Sequence, residues 1–397
     1  MMNVGIYFPD VKPEAGGASS LLKTIQKEIK ESKNTKHNYY FLYDGDCSEP
    51  LLTEHNGDKY LNLSYYYRKT FKEKIIRKVK LFFKRSYNEI NKFNTVAKQF
   101  PIDLFWFPSP ISADIDYPYI YTVWDLGHRR TPYFPEVSRS GWTWSSRENL
   151  YQNMLYKASY VITGNEEGKK EILENYPMPE NKIRISPFPV ADFCYKEEKK
   201  PSFNIPEKYF FYPAQFWPHK NHICILNALV HLRDNYNLTP VVFLTGSDKG
   251  NKKYIESKIE EYNLKDQVIF TGFLEDSELK YLYTHATAMI FASLMGPNNM
   301  PPIEATFLNC PVIITNLDGH KEQLKDTALY FDGYKPAELA EQMKLILNSK
   351  AKRSSLILKE KKLGKSFSEI NYFTEIRKIV EEFSLIRNTW GTDFIHL

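Results

Sequence analysis

Cysteine is scarce: four in 397 residues (Cys47, Cys194, Cys224 and Cys310), far apart and never as C-x-x-C. That excludes a zinc ribbon or a thiol–disulfide motif and fits a reducing, cytoplasmic compartment. Long apolar runs are missing too. The N-terminus, MMNVGIYFPD, reaches Asp10 after a short apolar stretch, without the charged and long apolar regions of a signal peptide. No run of 18 apolar residues occurs, so no membrane-spanning helix is expected. Short internal repeats and low-complexity tracts are absent as well, which excludes solenoids and disorder as the main architecture.

What remains is ordinary globular material, 42% apolar and 25% charged. The length suggests two large domains. Aromatic residues are plentiful, with 28 Tyr, 26 Phe and 6 Trp. They can fill large cores or line sugar and membrane sites.

The net charge of +5 is unevenly spread. Residues 67–86, YRKTFKEKIIRKVKLFFKRS, hold nine lysines and arginines against Glu73 alone, so the rest of the chain is net acidic. Phe71, Ile75, Val79 and Phe83 recur every four residues, the period of an amphipathic helix. Two readings fit: a surface helix with its stripe in the core, or a helix on an anionic membrane through Arg77, Lys78, Lys80, Lys84 and Arg85. No nucleic-acid recognition motif accompanies the patch.

Short apolar strands alternate with helical stretches. Expected strands are Asn3–Phe8, Tyr39–Tyr43, Leu104–Phe107, Tyr119–Trp124, Tyr160–Thr163 and Ile183–Ile185. A second series follows at Tyr209–Tyr212, Val241–Thr245, Val268–Thr271, Ala288–Ala292, Val312–Thr315 and Ala328–Phe331. This alternation predicts an α/β protein of two doubly wound, Rossmann-like domains facing a central cleft. The charged stretch KEEKKPSFNIP (196–206) reads as the linker. The expected divisions are 1–198, 199–368 and a helical segment, 369–397, that returns toward the first domain.

Four segments at strand ends could carry chemistry. PEAGGASS (13–20) follows the first strand, and Gly16 and Gly17 would let backbone approach an anion. PAQFWPHKNH (213–222) holds Lys220 between two histidines, where a lysine could neutralise a leaving diphosphate. His219 and His222, without a nearby carboxylate, make a poor metal pair, so no metal is expected. MGPNNMPPIEA (295–305) leads through two prolines into a helix, with Glu304 in its first turn. VWDLGHRRTP (123–132) gathers Asp125, His128, Arg129 and Arg130, types suited to acid–base work and to acceptor or phosphate contacts. Each has a plain structural reading as a turn, helix cap or solvated loop. Together they fall on both sides of one expected cleft.

The stretches QVIFTGFLEDSELKYLYTHATAMIFASL and PPIEATFLNCPVIITNLDGHKEQLKDTALYFD, with YVITGNEEGKKEI and the Lys220 loop, resemble retaining glycosyltransferases of the GT-B fold, family 4. The resemblance implies that the second domain binds a nucleotide-sugar donor. Glu304 would hold the ribose, Lys220 and Gln215 would lie at the diphosphate, and Gly16 and Gly17 would face it. Asn298, Asn299 and Met300 would offer amides to phosphates or sugar, with no cofactor and no metal. The implied acceptor is a glycan or lipid-linked glycan in cell-surface polysaccharide synthesis. The implied location is cytoplasmic, peripheral at the inner face of the plasma membrane.

Three positions depart from the pattern. Gly296 stands where the first glutamate of E-x7-E falls, Gln215 where an arginine is usual, and Trp124 where a histidine precedes the aspartate. A subgroup reading WDLxHR, FWPHKNH and GPxNxPPxEA resembles this chain, so the departures do not argue for a dead enzyme. Asn298 and Asn299 are the expected substitutes for the missing glutamate, and Asp125 or His128 for the missing histidine. The alternative is a non-catalytic partner that keeps the fold. A third reading, a GT-B epimerase or pyridoxal-dependent phosphorylase, is separated by a colourless protein.

Overall fold

The computed structural model describes residues 1–11, 16–32, 36–46, 50–55, 57–67, 92–113, 115–138 and 142–391. The basic stretch from residue 68 onward, with Arg77, Lys78, Lys80, Lys84 and Arg85, lies outside the described residues, as do residues 13–15 and Cys47.

The strands form two sheets. The first contains β1 (Asn3–Tyr7), β2 (Asn38–Tyr43), β3 (Leu52–His55), β4 (Asp58–Asn62), β5 (Leu104–Phe107), β6 (Tyr119–Thr122), β7 (Tyr160–Thr163) and β8 (Ile183–Ile185). Its order is β3-β4-β2-β1-β5-β6-β7-β8, parallel except for β3 against β4. The second contains β9 (Tyr209–Pro213), β10 (Val241–Thr245), β11 (Val268–Gly272), β12 (Ala288–Phe291), β13 (Val312–Thr315) and β14 (Leu329–Phe331), all parallel, in the order β11-β10-β9-β12-β13-β14. Both halves are doubly wound α/β units, as the alternation predicts.

Strands such as Leu-Phe-Trp-Phe (β5) and Val-Ile-Ile-Thr (β13) are buried along their whole length. That is what a parallel sheet covered on both faces demands. Their coverings in the first half are α1 (Gly17–Glu31), α2 (Lys92–Gln99), the short α3 (Gly127–Arg130) and α4 (Pro135–Ser138), α5 (Trp144–Lys157) and α6 (Glu166–Asn175). The second half has α7 (His222–Tyr236), α8 (Lys252–Glu261), α9 (Asp276–His285), α10 (Met300–Phe307), α11 (Asp318–Leu324), α12 (Pro336–Asn348) and α13 (Lys350–Ser368). Residues 196–208 join the two sheets without helix or strand.

Among the described residues, the β3–β4 ribbon is the pair of strands that the sequence pattern did not predict. All four β3 residues are exposed, so this antiparallel edge has no buried face to impose an apolar alternation.

The last helix, α14 (Tyr372–Arg387), lies on the first sheet. Tyr372 and Phe373 stack on Trp106. Arg387 Nε donates to Asp103 Oδ1 at 2.6 Å, a buried ion pair, and Ser186 Oγ donates to the Tyr372 carbonyl at 3.1 Å.

Each sheet reverses its winding direction once beside its first strand. In the first sheet the chain moves outward to β2 on one side of β1 and to β5 on the other; in the second it moves to β10 and β12 on either side of β9. The crevice at such a reversal, beyond the strand C-termini, is where ligands bind in this class of sheet. The loops after β1, β9 and β12 therefore converge on one place, and they are the loops of Gly16, Lys220 and Asn298.

Candidate active site

The loop after β9 ends in a tight turn, Pro218–Lys220, followed by Asn221 in the left-handed conformation. The turn is pinned from several sides. Tyr212 Oη donates to the Lys220 carbonyl at 2.5 Å, Leu294 N donates to the His219 carbonyl at 2.9 Å, and Asn221 Nδ2 donates to the Gly333 carbonyl at 2.8 Å. His219 N donates to Glu136 Oε1 at 3.0 Å, and its Nδ1 bonds the same oxygen. Glu136 belongs to α4 of the first half, so one half of the molecule shapes the lysine loop of the other. His222 is packed between the rings of Tyr212 and Phe216, and burial holds it uncharged, down to about 3. Among the described residues no cluster of three or more His, Cys, Asp or Glu side chains could hold a metal ion.

Lys220 itself is held loosely. Its Nζ lies 3.4 Å from Ser293 Oγ, 3.5 Å from Asn299 Oδ1 and 5.0 Å from the Phe291 ring centre. Desolvation lowers the ammonium to about 8, opposed by the charges of Asp125 and Glu136 across the cleft. A largely buried cation with only long contacts still has bonds to give.

Gly16 and Gly17 sit beside the second-half loops at Gln215 and Met300. Gly16 has φ 64°, a conformation that glycine adopts without strain. A side chain there would start 3.5 Å from Gln215 Nε2, and one at Gly17 would start 3.8 Å from Met300 Cγ. Gln215 is fixed by Trp217 Nε1 (3.0 Å) and by Ser247 Oγ (3.1 Å).

In the loop after β12, Gly296 has φ 107°, and the Asn299 amide fills the space a side chain at 296 would need, 3.0 Å away. Asn299 is buried, and its Nδ2 lies 3.0 Å from His320 Nε2. Asn298 Oδ1 accepts from Gln323 Nε2 at 2.7 Å. Glu304, in α10, is buried and accepts from Tyr283 Oη at 2.7 Å; burial lifts its carboxyl to about 7.

The first-half loop behaves differently from its sequence reading. Asp125 stays half-buried at the cleft, its Oδ1 accepting from Gly127 N at 2.8 Å. His128 is turned inward. Its Nε2 lies 3.1 Å from Glu148 Oε2 and 3.3 Å from Tyr176 Oη, and its ring stacks on Tyr151. Burial lowers its basicity despite Glu148. Arg129 forms a two-pronged pair with Glu148, and Arg130 is shared among Glu167, Glu171 and Glu174. In this structure His128, Arg129 and Arg130 are all paired with groups of the first half, so a catalytic role for His128, or acceptor and phosphate contacts at Arg129 and Arg130, would require those pairs to open.

The halves also lock together beyond the lysine. Glu322 of α11 accepts from the backbone N–H groups of Glu166 (2.8 Å) and Glu167 (3.0 Å), capping α6 across the boundary. Asn165 Nδ2 donates to the Pro297 carbonyl at 2.6 Å, and Thr131 Oγ1 lies 3.1 Å from Met295 Sδ. Glu136, Glu148, His320 and Glu322 were not singled out from sequence.

Comparison with known proteins fits this geometry. Residues 195–363 match the family described as Glycosyl transferases group 1. The chain is 32% identical over 191 residues to the O-antigen chain mannosyltransferase RfbU of Salmonella typhimurium, a match covering 46% of this chain and 51% of that one. It thus spans about half the length of this curated relative. Among solved structures, sucrose-phosphate synthase from Thermosynechococcus elongatus superposes with a TM-score of 0.73 at 15% identity, covering 98% of this chain and 100% of that one. Anabaena HepE in complex with UDP-glucose superposes with a TM-score of 0.63 at 15% identity, covering 97% and 100%. The chain therefore has the GT-B fold, and its second half matches the glycosyl transferases group 1 family.

Proposed function

We propose that this protein is a glycosyltransferase that moves a sugar from a nucleoside diphosphate to a glycan or lipid-linked glycan, with retained anomeric configuration and without a metal. It belongs, in this reading, to the family 4 subgroup with the WDLxHR pattern and serves cell-surface polysaccharide synthesis. The observation that carries the reading is the meeting of Gly16, Gln215, Lys220 and Asn299 where both sheets reverse direction.

In this reading residues 199–368 bind the donor and 1–198 the acceptor. The 369–397 segment is, in this reading, a C-terminal helical segment that packs back on the first half. Lys220 neutralises charge that builds on the leaving diphosphate, and its loose contacts let it turn to phosphate oxygens without losing strong bonds. Gly16 and Gly17 bring backbone to the same phosphates. Glu304, held by Tyr283, accepts from the ribose diol. Asn298, Asn299 and Met300, at the start of α10, face the phosphates and sugar. Asp125, which opposes Lys220 electrostatically across the cleft, stands on the acceptor side in place of His128. The match to a mannosyltransferase makes mannose the first donor sugar to try.

The test is incubation with UDP-, GDP- and dTDP-hexoses and a lipid-linked glycan acceptor, with the anomeric configuration read by NMR. Transfer with retention is expected. Nucleotide binding without transfer or slow donor hydrolysis would favour the non-catalytic partner. The described helices include none long and apolar enough to cross a membrane. Residues 67–86 supply a peripheral contact in this reading. Anionic vesicles should sediment the protein at low salt, and Gln at positions 77, 78, 80, 84 and 85 should release it; equal sedimentation would remove that role.

A further inference from the structure

The orientation of the Asn299 amide can be worked out from its two neighbours. A lysine ammonium only donates, so the atom of Asn299 that faces Lys220 Nζ, at 3.5 Å, is the oxygen. The amide nitrogen then points at His320 Nε2, at 3.0 Å, and also toward the Gly296 carbonyl at 3.3 Å. An NH2 group donates, so His320 Nε2 must accept and its proton must sit on Nδ1. That atom lies 3.0 Å from the Thr315 carbonyl and 3.0 Å from Thr315 Oγ1. Both positions can accept, because Thr315 Oγ1 spends its own proton on the Ser293 carbonyl at 2.6 Å. Every donor in the row has an acceptor, and reversing any one member sets donor against donor.

The row has direction. It starts at the end of β13 and finishes at Lys220, whose own contacts are all long. His320 is fully buried and cannot reach a substrate. Its neutral form is required, since a proton on Nε2 would turn the Asn299 amide and point NH2 at Lys220. Burial supplies that form, lowering His320 to about 4, with the Lys220 charge acting in the same sense. Ser293 completes the cradle: its Oγ donates to the Met295 carbonyl at 2.9 Å and offers a lone pair to Lys220 at 3.4 Å.

We propose that His320 is a positioning residue that fixes the Asn299 amide, and through it the place and charge of Lys220 in the cleft. The proposal deepens the donor-site reading above and rests on it only for the purpose the lysine serves. The charged and titratable groups that act on Lys220 from other elements are Asp125 and Glu136 of the first half, while His219, His222 and His320 all feel its charge.

The test is trace labelling of the intact protein with acetic anhydride near pH 7.5. Acetylation of Lys220 is read by mass spectrometry against Lys321, an exposed lysine next to His320. Only the uncharged amine reacts, so loss of an acceptor that favours the charged form raises the rate. Asn299→Ala and His320→Leu should each speed labelling of Lys220 relative to Lys321 by about two- to fourfold, since an amine at about 8 is already roughly a quarter uncharged at pH 7.5. The double variant should go no further than either single one. His320→Gln, which can present a carbonyl oxygen where Nε2 stands, should return the rate to near wild type. A general loosening of the fold would speed Lys321 as well and leave His320→Gln no better than His320→Leu. Unchanged Lys220 labelling in Asn299→Ala would overturn the proposal even if His320→Leu failed to fold. Adding UDP or GDP separates the two readings. Slower labelling supports the diphosphate role of Lys220. No protection, with the variant pattern intact, would sink that role and leave the positioning row standing.

Discussion

Two loops face each other across the cleft, and they use their charges in opposite ways. The first-half loop, Asp125–Arg130, is rich in groups suited to catalysis, yet His128, Arg129 and Arg130 are all bound to glutamates of α5 and α6. The second-half loop, Pro213–Lys220, offers a single cation, and that cation is left with contacts of 3.4 Å and longer. Residue type therefore does not mark a site. What marks it is a charged group in a partly desolvated place whose bonding is incomplete.

The largest expected effect breaks the comparison at its functional side. Lys220→Ala should lower turnover by about 10²–10³-fold, as removal of other electrostatic stabilisers does, while the unfolding transition stays in place. Unchanged turnover would move the chemistry elsewhere. On the other side, Glu148→Ala should act on stability. It leaves buried His128 and Tyr176 and half-buried Arg129 without their shared carboxylate, at a cost of about 3 kcal/mol in denaturant unfolding. A fall in turnover without loss of stability would return His128 to the cleft.

A smaller effect concerns how the loops are held face to face. Glu322→Ala removes the cap that the second half places on α6 and should cost about 1 kcal/mol, the usual worth of a helix cap. Scanning calorimetry should also show the halves unfolding less cooperatively; a single unaltered transition would mean the cap contributes nothing to coupling.

A pH-dependent effect on stability lies far from the cleft. Glu360 of α13 is fully buried, and desolvation raises its carboxyl to about 8. The folded state then holds a proton that the unfolded chain releases near 4.5, so wild-type stability declines as pH rises from about 4.5 to about 8. Glu360→Gln should match wild type at pH 4.5 and exceed it by pH 8. Equal midpoints at both pH values would show that Glu360 is ionised at no cost.

Much of this architecture was legible from sequence because parallel strands buried on both faces leave uninterrupted apolar runs. Leu104–Phe107, Tyr160–Thr163, Ile183–Ile185, Val241–Thr245 and Val312–Thr315 begin and end where the pattern places them. The β3–β4 ribbon escaped because an exposed edge has no such signature. Gly16, Gln215, Lys220 and Met300 could be grouped because each follows a strand, and topology brings strand ends together. The partners that decide how those groups behave were hidden. Glu136 lies 83 residues from His219, and Glu148 lies 20 from His128. No local pattern encodes such pairings. His320 was equally silent, since its role depends on an amide 21 residues away and on the burial that keeps it neutral.

In the proposed function the lysine loop and the glycine loop together receive a nucleoside diphosphate. Calorimetric titration of wild type and Lys220→Ala with UDP, GDP and the corresponding nucleosides tests it directly. One diphosphate is expected to bind wild type and to lose at least about tenfold in affinity in the variant, the worth of one charge-assisted contact, while its nucleoside binds both proteins equally. Equal affinity of that diphosphate for the two proteins would contradict it.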